Sequence, residues 1–393
     1  MRVLVFMTQF YQLGGAERLA VELAEELNQR GIRADILSMY GKDLAGAAEG
    51  NQMLYDRGIP AAHSLDMRVH PSVASIVPAM LRLRRLISRE RYDVVETSMV
   101  LPTLLAAWAV MGTRTRHVAG VHDVFSRDRY NTLKDRFLRL SLRLRRKTRY
   151  YAISDYAAKH WLEYIGAQKV RIRTLYNGIP NDCFGVVPER DDVRDEFAIP
   201  RSARIALFVG RMLKRKGIDT ILAALGPILG EEDLYLLYVG GIDQPPELFF
   251  PDEVGLIDRL HAQLDREGWA DRVRFLGRRN DVPRLMAASD VLVHPARIEG
   301  FGLVLAEALA AGLPVVASNA QGIPEVLSGT HSIMVPPDDP LALQKAVLST
   351  LHRAPSDAAL AVEVGRKRAE AFRIEHRIDA MDALLRDVVA GRF

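Results

Sequence analysis

Short apolar runs rich in valine, isoleucine and leucine recur along this 393-residue chain, and longer segments with a helical pattern separate them. Such runs are typical of parallel strands buried on both faces, and the longer segments are typical of the helices that connect them. The runs lie at 3–7, 34–39, 93–97, 117–121 and 150–153, and again at 205–209, 234–239, 273–276, 291–294 and 314–317. The pattern predicts an α/β protein with parallel sheets.

The length of the chain exceeds what one hydrophobic core usually holds, which predicts two domains. Between residues 181 and 202 the composition turns polar and rich in turn-forming residues, so we place the linker there. The predicted domains span residues 1–185 and 200–371.

Neither export nor a membrane span is expected from the sequence. The only cysteine, Cys183, cannot form an intrachain disulfide. The apolar run within residues 1–10 is too short for a signal peptide. No uncharged run is longer than that of residues 97–113, which falls short of the ~20 residues that a spanning helix needs. We therefore expect a cytoplasmic protein.

Charge is unevenly distributed along the chain. The formal net charge is +4, but residues 1–180 carry +11 and the remainder carries −7. A basic N-terminal half fits nucleic acid, anionic lipid or a phosphorylated acceptor, and charge alone does not choose among them. No helix-turn-helix, RNP or zinc pattern occurs, so a nucleic-acid-binding adaptor ranks low and we expect no nucleic-acid partner.

Two glutamates eight residues apart, Glu299 and Glu307, stand on either side of a predicted helix start. Gly300-Phe301-Gly302 leads into a helix from about Leu303 to Ala311. A helix start presents unpaired backbone N–H groups that suit a phosphate or the polar edge of a sugar. The alternative is a solvated loop residue and a surface helix residue. Glu307 has small and apolar neighbours, so burying its carboxylate costs free energy unless hydroxyls or cations meet it, and this context favours a site.

Arg211 and Lys216 follow the first strand of the second half. Both are predicted to meet at the carboxyl edge of the sheet, where open α/β folds bind ligands, and there to clamp a diphosphate. Ordinary surface cations explain the spacing equally well. The segment lacks the Gly-x-Gly-x-x-Gly of dinucleotide sites and the Gly-Lys-Ser/Thr of a P-loop, so an NTPase is not expected.

The first half carries two weaker signals. Gly14 and Gly15 stand between the first strand and the first helix, where they let a ligand approach the backbone or simply form a tight turn. His122 follows the strand at 117–121 and is therefore placed at the carboxyl edge of its sheet. A lone histidine is more often structural, but this location makes it a candidate, with Asp123 as a possible helper base.

In this order along nearly the whole chain, these motifs resemble the retaining glycosyltransferases of family GT4. The resemblance implies the GT-B fold, which has two Rossmann-like domains with parallel sheets facing across a cleft. The first domain would meet the acceptor and the membrane, and the second would bind the nucleotide sugar. A helix at about 372–393 would pack back on the first domain.

The same resemblance implies the role of each site residue. Arg211 and Lys216 would neutralise the leaving diphosphate, Glu307 would hold the ribose, and Glu299 and His122 would meet the sugar. The implied catalytic residues are Glu299, His122, Arg211 and Lys216, and the implied donor-binding residues are Gly14, Gly15, Arg211, Lys216, Gly277, Arg278, Val282, Gly300, Phe301, Gly302, Leu303 and Glu307. No Asp-x-Asp occurs in the sequence, which predicts a reaction without a metal, and we expect no cofactor beyond the nucleotide sugar, with UDP favoured.

A basic segment in the first half predicts an anionic membrane surface as a partner. Residues 133–149 carry eight Lys or Arg and one acid. On a helical wheel the inward stripe is Leu133, Phe137, Leu140 and Leu144, which leaves Leu138 and Leu142 exposed among arginines. Leu81 adds a second contact, on a helix with Arg82, Arg84, Arg85 and Arg89. The alternative is a solvated basic helix whose arginines pair with acids.

We therefore expect a protein on the inner face of the cell membrane that transfers a hexose or N-acetylhexosamine. The acceptor would be lipid-linked or a glycan, in the synthesis of cell-surface polysaccharide or glycolipid. A soluble small-molecule acceptor is the alternative within the family. A GT-B phosphorylase or a nucleotide-sugar epimerase is a more distant one.

Overall fold

The computed structural model describes residues 1–10, 14–41, 47–60, 62–68, 73–122, 139–142, 148–166, 170–187, 189–241 and 255–393. The chain divides into two compact units. One comprises Met1–Gly178 with Glu375–Phe393, and the other comprises Ile179–Ile374. Each unit is built on one parallel sheet with helices between its strands.

Among the described residues, the sheet of the first unit has seven strands. They are β1 (Arg2–Met7), β2 (Arg33–Tyr40), β3 (Ala62–Met67), β4 (Val94–Ser98), β5 (Arg116–Val121), β6 (Thr148–Ala152) and β7 (Ile172–Thr174), in the order β3-β2-β1-β4-β5-β6-β7. The helices are α1 (Gly15–Gln29), α2 (Ala47–Asp56), α3 (Val73–Glu90), α4 (Val100–Ala109), α5 (Asp155–Ile165) and, last in the chain, α14 (Ile374–Val389). The order reverses between β1 and β4, and ligands of open α/β sheets bind at such a switch point.

In the described part of the second unit, the sheet has six strands. They are β8 (Arg204–Val209), β9 (Leu234–Val239), β10 (Val273–Phe275), β11 (Val291–His294), β12 (Val315–Ser318) and β13 (Ile333–Val335), in the order β10-β9-β8-β11-β12-β13. The helices are α6 (Arg190–Glu196), α7 (Ile218–Leu225), α8 (Leu256–Glu267), α9 (Val282–Ala288), α10 (Leu303–Ala311), α11 (Ile323–Leu327), α12 (Pro340–Leu351) and α13 (Pro355–Ala369). This order reverses between β8 and β11.

The apolar runs that predict strands lie inside both sheets, except that the run at 273–276 forms the edge strand β10. Residues Val3–Met7 of β1 are fully buried, as are most residues of β8 and β9. All of the predicted strands are present within two residues of their predicted bounds. Three further strands, β3, β7 and β13, were not predicted. They lie at sheet edges, where a strand is short or partly polar because one side has no neighbouring strand.

The expected linker at residues 181–202 is wrong in part, because helix α6 lies inside it and belongs to the second unit. Its residue Val193 is fully buried, and the buried Arg194 donates a hydrogen bond to the carbonyl of Ala203 at 3.0 Å. A helix that buries side chains in this way is part of a core. Its many acids and arginines made it look like a solvated connection.

The predicted helix at residues 133–149 is also wrong at its C-terminal end. Residues 139–142 are helical, but Thr148 and Arg149 lie in strand β6, which pairs with β5. The rest of the segment lies outside the described residues. In the part of the chain that the structure describes, no helix is long and apolar enough to span a bilayer.

Candidate active site

Two loops of the second unit meet at the carboxyl ends of strands β8 and β11. The loop after β8 carries Lys216 in a 3₁₀ turn, and the loop after β11 carries Glu299. Lys216 Nζ donates to Glu299 Oε2 at 2.5 Å, and the two side chains are 15% and 13% exposed. The structure therefore brings two of the predicted site residues into direct contact.

His294, the last residue of β11, holds the same carboxylate. Its Nε2 lies 3.1 Å from Glu299 Oε2, and its buried ring stacks on Phe208. Burial lowers the pKa of His294, so the neutral ring donates through Nε2. Both contacts use Oε2, and among the described residues no hydrogen bond reaches Glu299 Oε1. That oxygen is the acceptor that Glu299 can offer a ligand.

The charge of Glu299 follows from these neighbours. Burial by itself raises the pKa of Glu299, but the Lys216 ammonium and the hydrogen bond from His294 outweigh it and hold that pKa well below its ordinary value. Burial also lowers the pKa of Lys216, and Glu299 opposes that shift. Glu299 is therefore an ionised carboxylate at neutral pH.

Arg297 ties the two loops together. Its backbone N–H donates to the carbonyl of Arg215 at 2.9 Å. Its guanidinium donates to both carboxylate oxygens of Asp219, at 2.7 and 3.1 Å, in the bidentate geometry that arginine favours. Arg297, which lies between β11 and Glu299, thus holds the segment on both sides of Lys216.

Gly217 allows the two loops to approach so closely. Its φ of +75° lies in the left-handed region, and a Cβ at this position would stand 2.2 Å from the carbonyl oxygen of Pro295. Only glycine accepts both the conformation and the contact. The position of Lys216 next to Glu299 therefore depends on the glycine that follows it.

Helix α10 begins at Leu303, as predicted, directly after Gly302 in the left-handed conformation with φ of +89°. The side chain of Phe301 is buried and packs edge-on against Phe372 at 5.4 Å between ring centroids. Phe301 can therefore offer a ligand only its backbone. Gly300 and Leu303 are partly buried on either side of this turn.

Glu307 lies one turn inside α10 and is 8% exposed, so its predicted burial is confirmed.

The loop before the helix is fixed by a second loop. The backbone N–H of Glu299 donates to Gln321 Oε1 at 2.9 Å, and the N–H of Gly322 donates to the carbonyl of Glu299 at 3.0 Å. The carboxylate of Glu299 is therefore positioned from both its side chain and its backbone.

The other predicted residues of the second unit lie at the ends of neighbouring strands. Arg211 follows β8, is exposed, and lies close enough to lower the pKa of Lys216. Gly277 and Arg278 follow β10 and are exposed, and Val282 begins α9. Strand β10 is at the edge of the sheet, two positions from β8. Gly277, Arg278 and Val282 therefore belong to the same sheet as the Lys216–Glu299 pair but follow a strand two positions away.

In the first unit, Gly14 is the N-cap of α1 and Gly15 is its first residue, and both are exposed. The three residues before Gly14 lie outside the described part of the chain. The contact of the two glycines with a ligand stays a prediction. Gly14 has no side chain with which to cap the helix.

His122 follows strand β5, as predicted. Its Nε2 lies 3.1 Å from Ser98 Oγ and 3.3 Å from Tyr151 Oη. Burial, assisted by the positive charge of Arg377, lowers the pKa of His122 to about 3, so the ring is neutral. Asp123 lies outside the described residues.

Helix α3 presents the predicted basic and apolar surface. Leu81 is 43% exposed, as expected, and Val77, one turn earlier, is 55% exposed. Arg82 and Arg85 are exposed beside them. Arg84 has another use, because it donates to the carbonyl of Ala109 at 3.1 Å at the C-terminal end of α4.

The helical wheel for residues 133–149 assigned its leucines wrongly where the structure describes them. Leu142 is buried at 2% exposed, and Leu140 is 53% exposed, which is the reverse of the expectation. The guanidinium of Arg139 lies 5.6 Å from the centre of the Tyr164 ring on α5, so it contacts the protein. Leu133, Phe137, Leu138 and Leu144 lie outside the described residues.

Sequence reasoning missed His294, Arg297, Gln321, Ser98 and Tyr151. His294 and Ser98 end strands on the carboxyl side of their sheets, the same signal that singled out His122. Gln321 and Arg297 act through contacts across the sequence, and no local pattern marks them.

Comparison with known proteins gives matches along both units. A family model described as Glycosyltransferase Family 4 matches residues 13–182, and one described as Glycosyl transferases group 1 matches residues 203–353. The chain is 28% identical to phosphatidyl-myo-inositol mannosyltransferase of Mycobacterium leprae, over 86% of this chain and 84% of that protein. It is 25% identical to N-acetyl-alpha-D-glucosaminyl L-malate synthase of Bacillus anthracis, over 83% of this chain and 81% of that protein.

The fold is that of solved structures. The crystal structure of Anabaena Alr3699/HepE in complex with UDP is similar with a TM-score of 0.82 and 21% sequence identity. The similarity covers 98% of this chain and 100% of that one. At this identity the likeness concerns the fold.

Proposed function

The chain is a glycosyltransferase of family 4 with the GT-B fold, and from this premise we propose that it is retaining and takes a hexose or N-acetylhexosamine from a nucleotide diphosphate sugar. The observation that carries the proposal is the Lys216–Glu299 pair beside the start of α10, where a Cβ at Gly302 would stand 3.3 Å from Glu299 Cγ. A cation, an ionised carboxylate and the N-terminal end of a helix at one place fit a phosphorylated sugar.

The leaving diphosphate would be stabilised by Lys216, Arg211 and the first backbone amides of α10. Cleavage of the bond between the anomeric carbon and the phosphate oxygen leaves negative charge on the diphosphate. An ammonium has three N–H donors, and in this structure one of those of Lys216 is used by Glu299. Fixed donors aimed at developing charge stabilise the transition state more than the ground state.

Glu299 would hold the transferred sugar through its open oxygen. An ionised carboxylate accepts hydrogen bonds from hydroxyl groups, and Oε2 is already used by Lys216 and His294. Glu307, buried one turn further on, would accept the two ribose hydroxyls of the nucleotide. His122 and the Gly14-Gly15 turn of the first unit would meet the sugar, and Gly277, Arg278 and Val282 the base.

The configuration at the anomeric carbon would be retained because the acceptor attacks on the same face from which the diphosphate leaves. The acceptor oxygen bonds to the anomeric carbon as the bond to the diphosphate breaks, and the acceptor proton passes to a diphosphate oxygen. We propose that no metal takes part, because the sequence has no Asp-x-Asp motif. UDP is the favoured nucleotide, and the structurally similar Alr3699/HepE was solved with UDP.

The acceptor would be lipid-linked or a glycan, with the first unit at an anionic membrane surface. The support is the exposed Val77 and Leu81 beside Arg82 and Arg85 on helix α3. Apolar side chains among arginines suit acyl chains and anionic headgroups. The similar protein of Mycobacterium leprae is named phosphatidyl-myo-inositol mannosyltransferase, and phosphatidyl-myo-inositol is a lipid. Such a protein would act at the inner face of the cell membrane.

The donor class can be tested by thermal unfolding with UDP, GDP and ADP. A ligand that binds the native state raises its apparent stability, and we expect UDP to give the largest increase in Tm. The matching sugar nucleotides then serve as donors, and NMR of the product reads the anomeric configuration. Lys216→Met should abolish the increase in Tm, and Lys345→Met, an exposed lysine of the same unit, should keep it. Absence of any nucleotide effect, or a product of inverted configuration, would overturn the proposal.

A further inference from the structure

A buried carboxyl group lies behind His122 in the first unit. Glu96 of strand β4 is 1% exposed. Its Oε1 accepts hydrogen bonds from Tyr151 Oη at 2.7 Å and from Ser98 Oγ at 3.2 Å. Its Oε2 is buried without a hydrogen bond among the described residues. Burying a carboxyl group with one unused oxygen costs free energy, which indicates that Glu96 has a function.

Tyr151 of β6 reaches Glu96 of β4 because the strand between them, β5, has a glycine where the Tyr151 side chain passes over it. Gly120 of β5 pairs with Ser98 on one side and Tyr151 on the other. A Cβ at Gly120 would stand 2.4 Å from Tyr151 Oη and 2.8 Å from His122 Nε2. Because Gly120 has no side chain, the Tyr151 phenol, the His122 imidazole and the Glu96 carboxyl group can meet over strand β5.

The hydrogen atoms of this cluster can be assigned by counting donors. Tyr151 and Ser98 each have one O–H, and both are directed at Glu96 Oε1. Their oxygens then face His122 Nε2, at 3.3 and 3.1 Å, as acceptors. The donor in these two contacts must be Nε2–H. In a neutral imidazole the other nitrogen, Nδ1, is then the acceptor.

The direction of these bonds holds in both charge states of Glu96. Burial raises the pKa of Glu96 to about 7, and Tyr151, Arg377 and Ser98 oppose the shift. A proton bound at Oε2 leaves Oε1 as an acceptor, so the two hydroxyls need not turn. Arg377, which α14 brings into this unit, is 5% exposed and lies 5.6 Å from the centre of the Tyr151 ring.

We propose that Glu96 is a positioning residue that, through Tyr151 and Ser98, holds His122 in the Nε2–H tautomer and leaves Nδ1 as the acceptor for a substrate hydroxyl. The hydrogen-bonded cluster stands on the structure of the first unit, whereas the substrate hydroxyl rests on the proposed function. Glu96, Tyr151 and Ser98 touch His122 or each other and need not touch the substrate. His122 thereby acts as a neutral hydrogen-bond acceptor in place of a proton donor.

The test is the tautomer of His122, read from the ¹⁵N shifts of its ring nitrogens by NMR. The signals are assigned by their loss in His122→Asn. We expect wild type to be Nε2–H. In Glu96→Met the hydroxyl groups of Tyr151 and Ser98 lose their acceptor and can turn to donate to His122 Nε2. The ring should then change to the Nδ1–H tautomer. Glu96→Gln keeps an acceptor oxygen and should keep the wild-type tautomer.

Turnover gives the second readout. We expect kcat of Glu96→Met to fall about tenfold, the loss of one hydrogen bond, with Glu96→Gln close to wild type. An Nδ1–H ring in wild type would overturn the proposal without any variant, as would an unchanged tautomer in folded Glu96→Met. An Nε2–H ring in a protein that transfers no sugar would instead overturn the proposed function and leave the positioning role of Glu96 standing.

Discussion

Lys216 Nζ lies 2.5 Å from Glu299 Oε2, although 83 residues separate the two in sequence. The contact joins the loop after β8 to the loop after β11, at the point where the strand order of the second sheet reverses. Each charge lowers the free energy of burying the other. A ligand that draws Lys216 onto its phosphate therefore also changes the surroundings of Glu299.

Removal of either partner should reduce turnover. We expect Lys216→Met and Glu299→Gln to lower kcat by about 10²- to 10³-fold, because both groups would act where charge changes in the transition state. Glu307→Gln should mainly raise the donor KM. Lys345→Met and Glu363→Gln, both exposed in the same unit, are matched controls. Near wild-type rates of Lys216→Met or Glu299→Gln with saturating donor would show that the site is misassigned.

The ion pair should also appear in stability. Lys216→Met leaves the Glu299 carboxylate without its cation, and we expect a loss of about 2 kcal/mol or more in the free energy of unfolding. Lys216→Met with Glu299→Gln should recover most of that loss, because the unpaired charge is gone. Urea unfolding of the two single variants and the double variant measures the coupling. Strictly additive effects would mean that the contact contributes no interaction energy.

Glu96 should make stability depend on pH. Its pKa is about 7 in the folded protein and about 4.5 when unfolded, so the native state keeps its proton longer. The stability present below pH 4.5 is therefore lost as pH rises toward 7, by at most about 3 kcal/mol. Glu96→Gln does not titrate, so its Tm relative to wild type should rise between pH 5 and pH 8. A pH-independent difference would contradict the shifted pKa.

Activity should survive an excess of EDTA. The proposed stabilisation of the diphosphate uses Lys216, Arg211 and helix amides, which need no divalent ion. The measurement is the initial rate after chelation and after adding back Mg²⁺ or Mn²⁺. Complete loss with EDTA and recovery with either ion would refute the metal-free mechanism.

Helix α3 should govern attachment to membranes. We expect Val77→Ser with Leu81→Ser, and separately Arg82→Ser with Arg85→Ser, to reduce co-sedimentation with anionic vesicles. Each arginine near such a surface contributes about 1 kcal/mol, so the second pair should also reduce the dependence on anionic lipid and on salt. Leu360→Ser, at a leucine 47% exposed in the second unit, is the control. Equal pelleting of all variants, or none by wild type at low salt, would favour a soluble acceptor.

The predicted faces of residues 133–149 show the limit of a helical wheel. The wheel requires a continuous helix, but the chain enters strand β6 at Thr148 because that segment pairs with β5. Residues 139–142 are helical, and there Leu142 is buried and Leu140 is exposed, so the wheel separated the two leucines correctly but assigned the buried face to the wrong one.

The sequence by itself determined what depends on neighbours along the chain. Apolar runs placed the strands, and two glycines placed the start of α10 at Leu303, because strand burial and helix starts are set by local residue types. Only the tertiary structure decided which side chains meet. Glu96 reaches Tyr151 across Gly120, and Lys216 reaches Glu299, because the order of strands in each sheet brings distant residues to one edge. Strand order and side-chain packing depend on the whole core, and no local pattern carries that information.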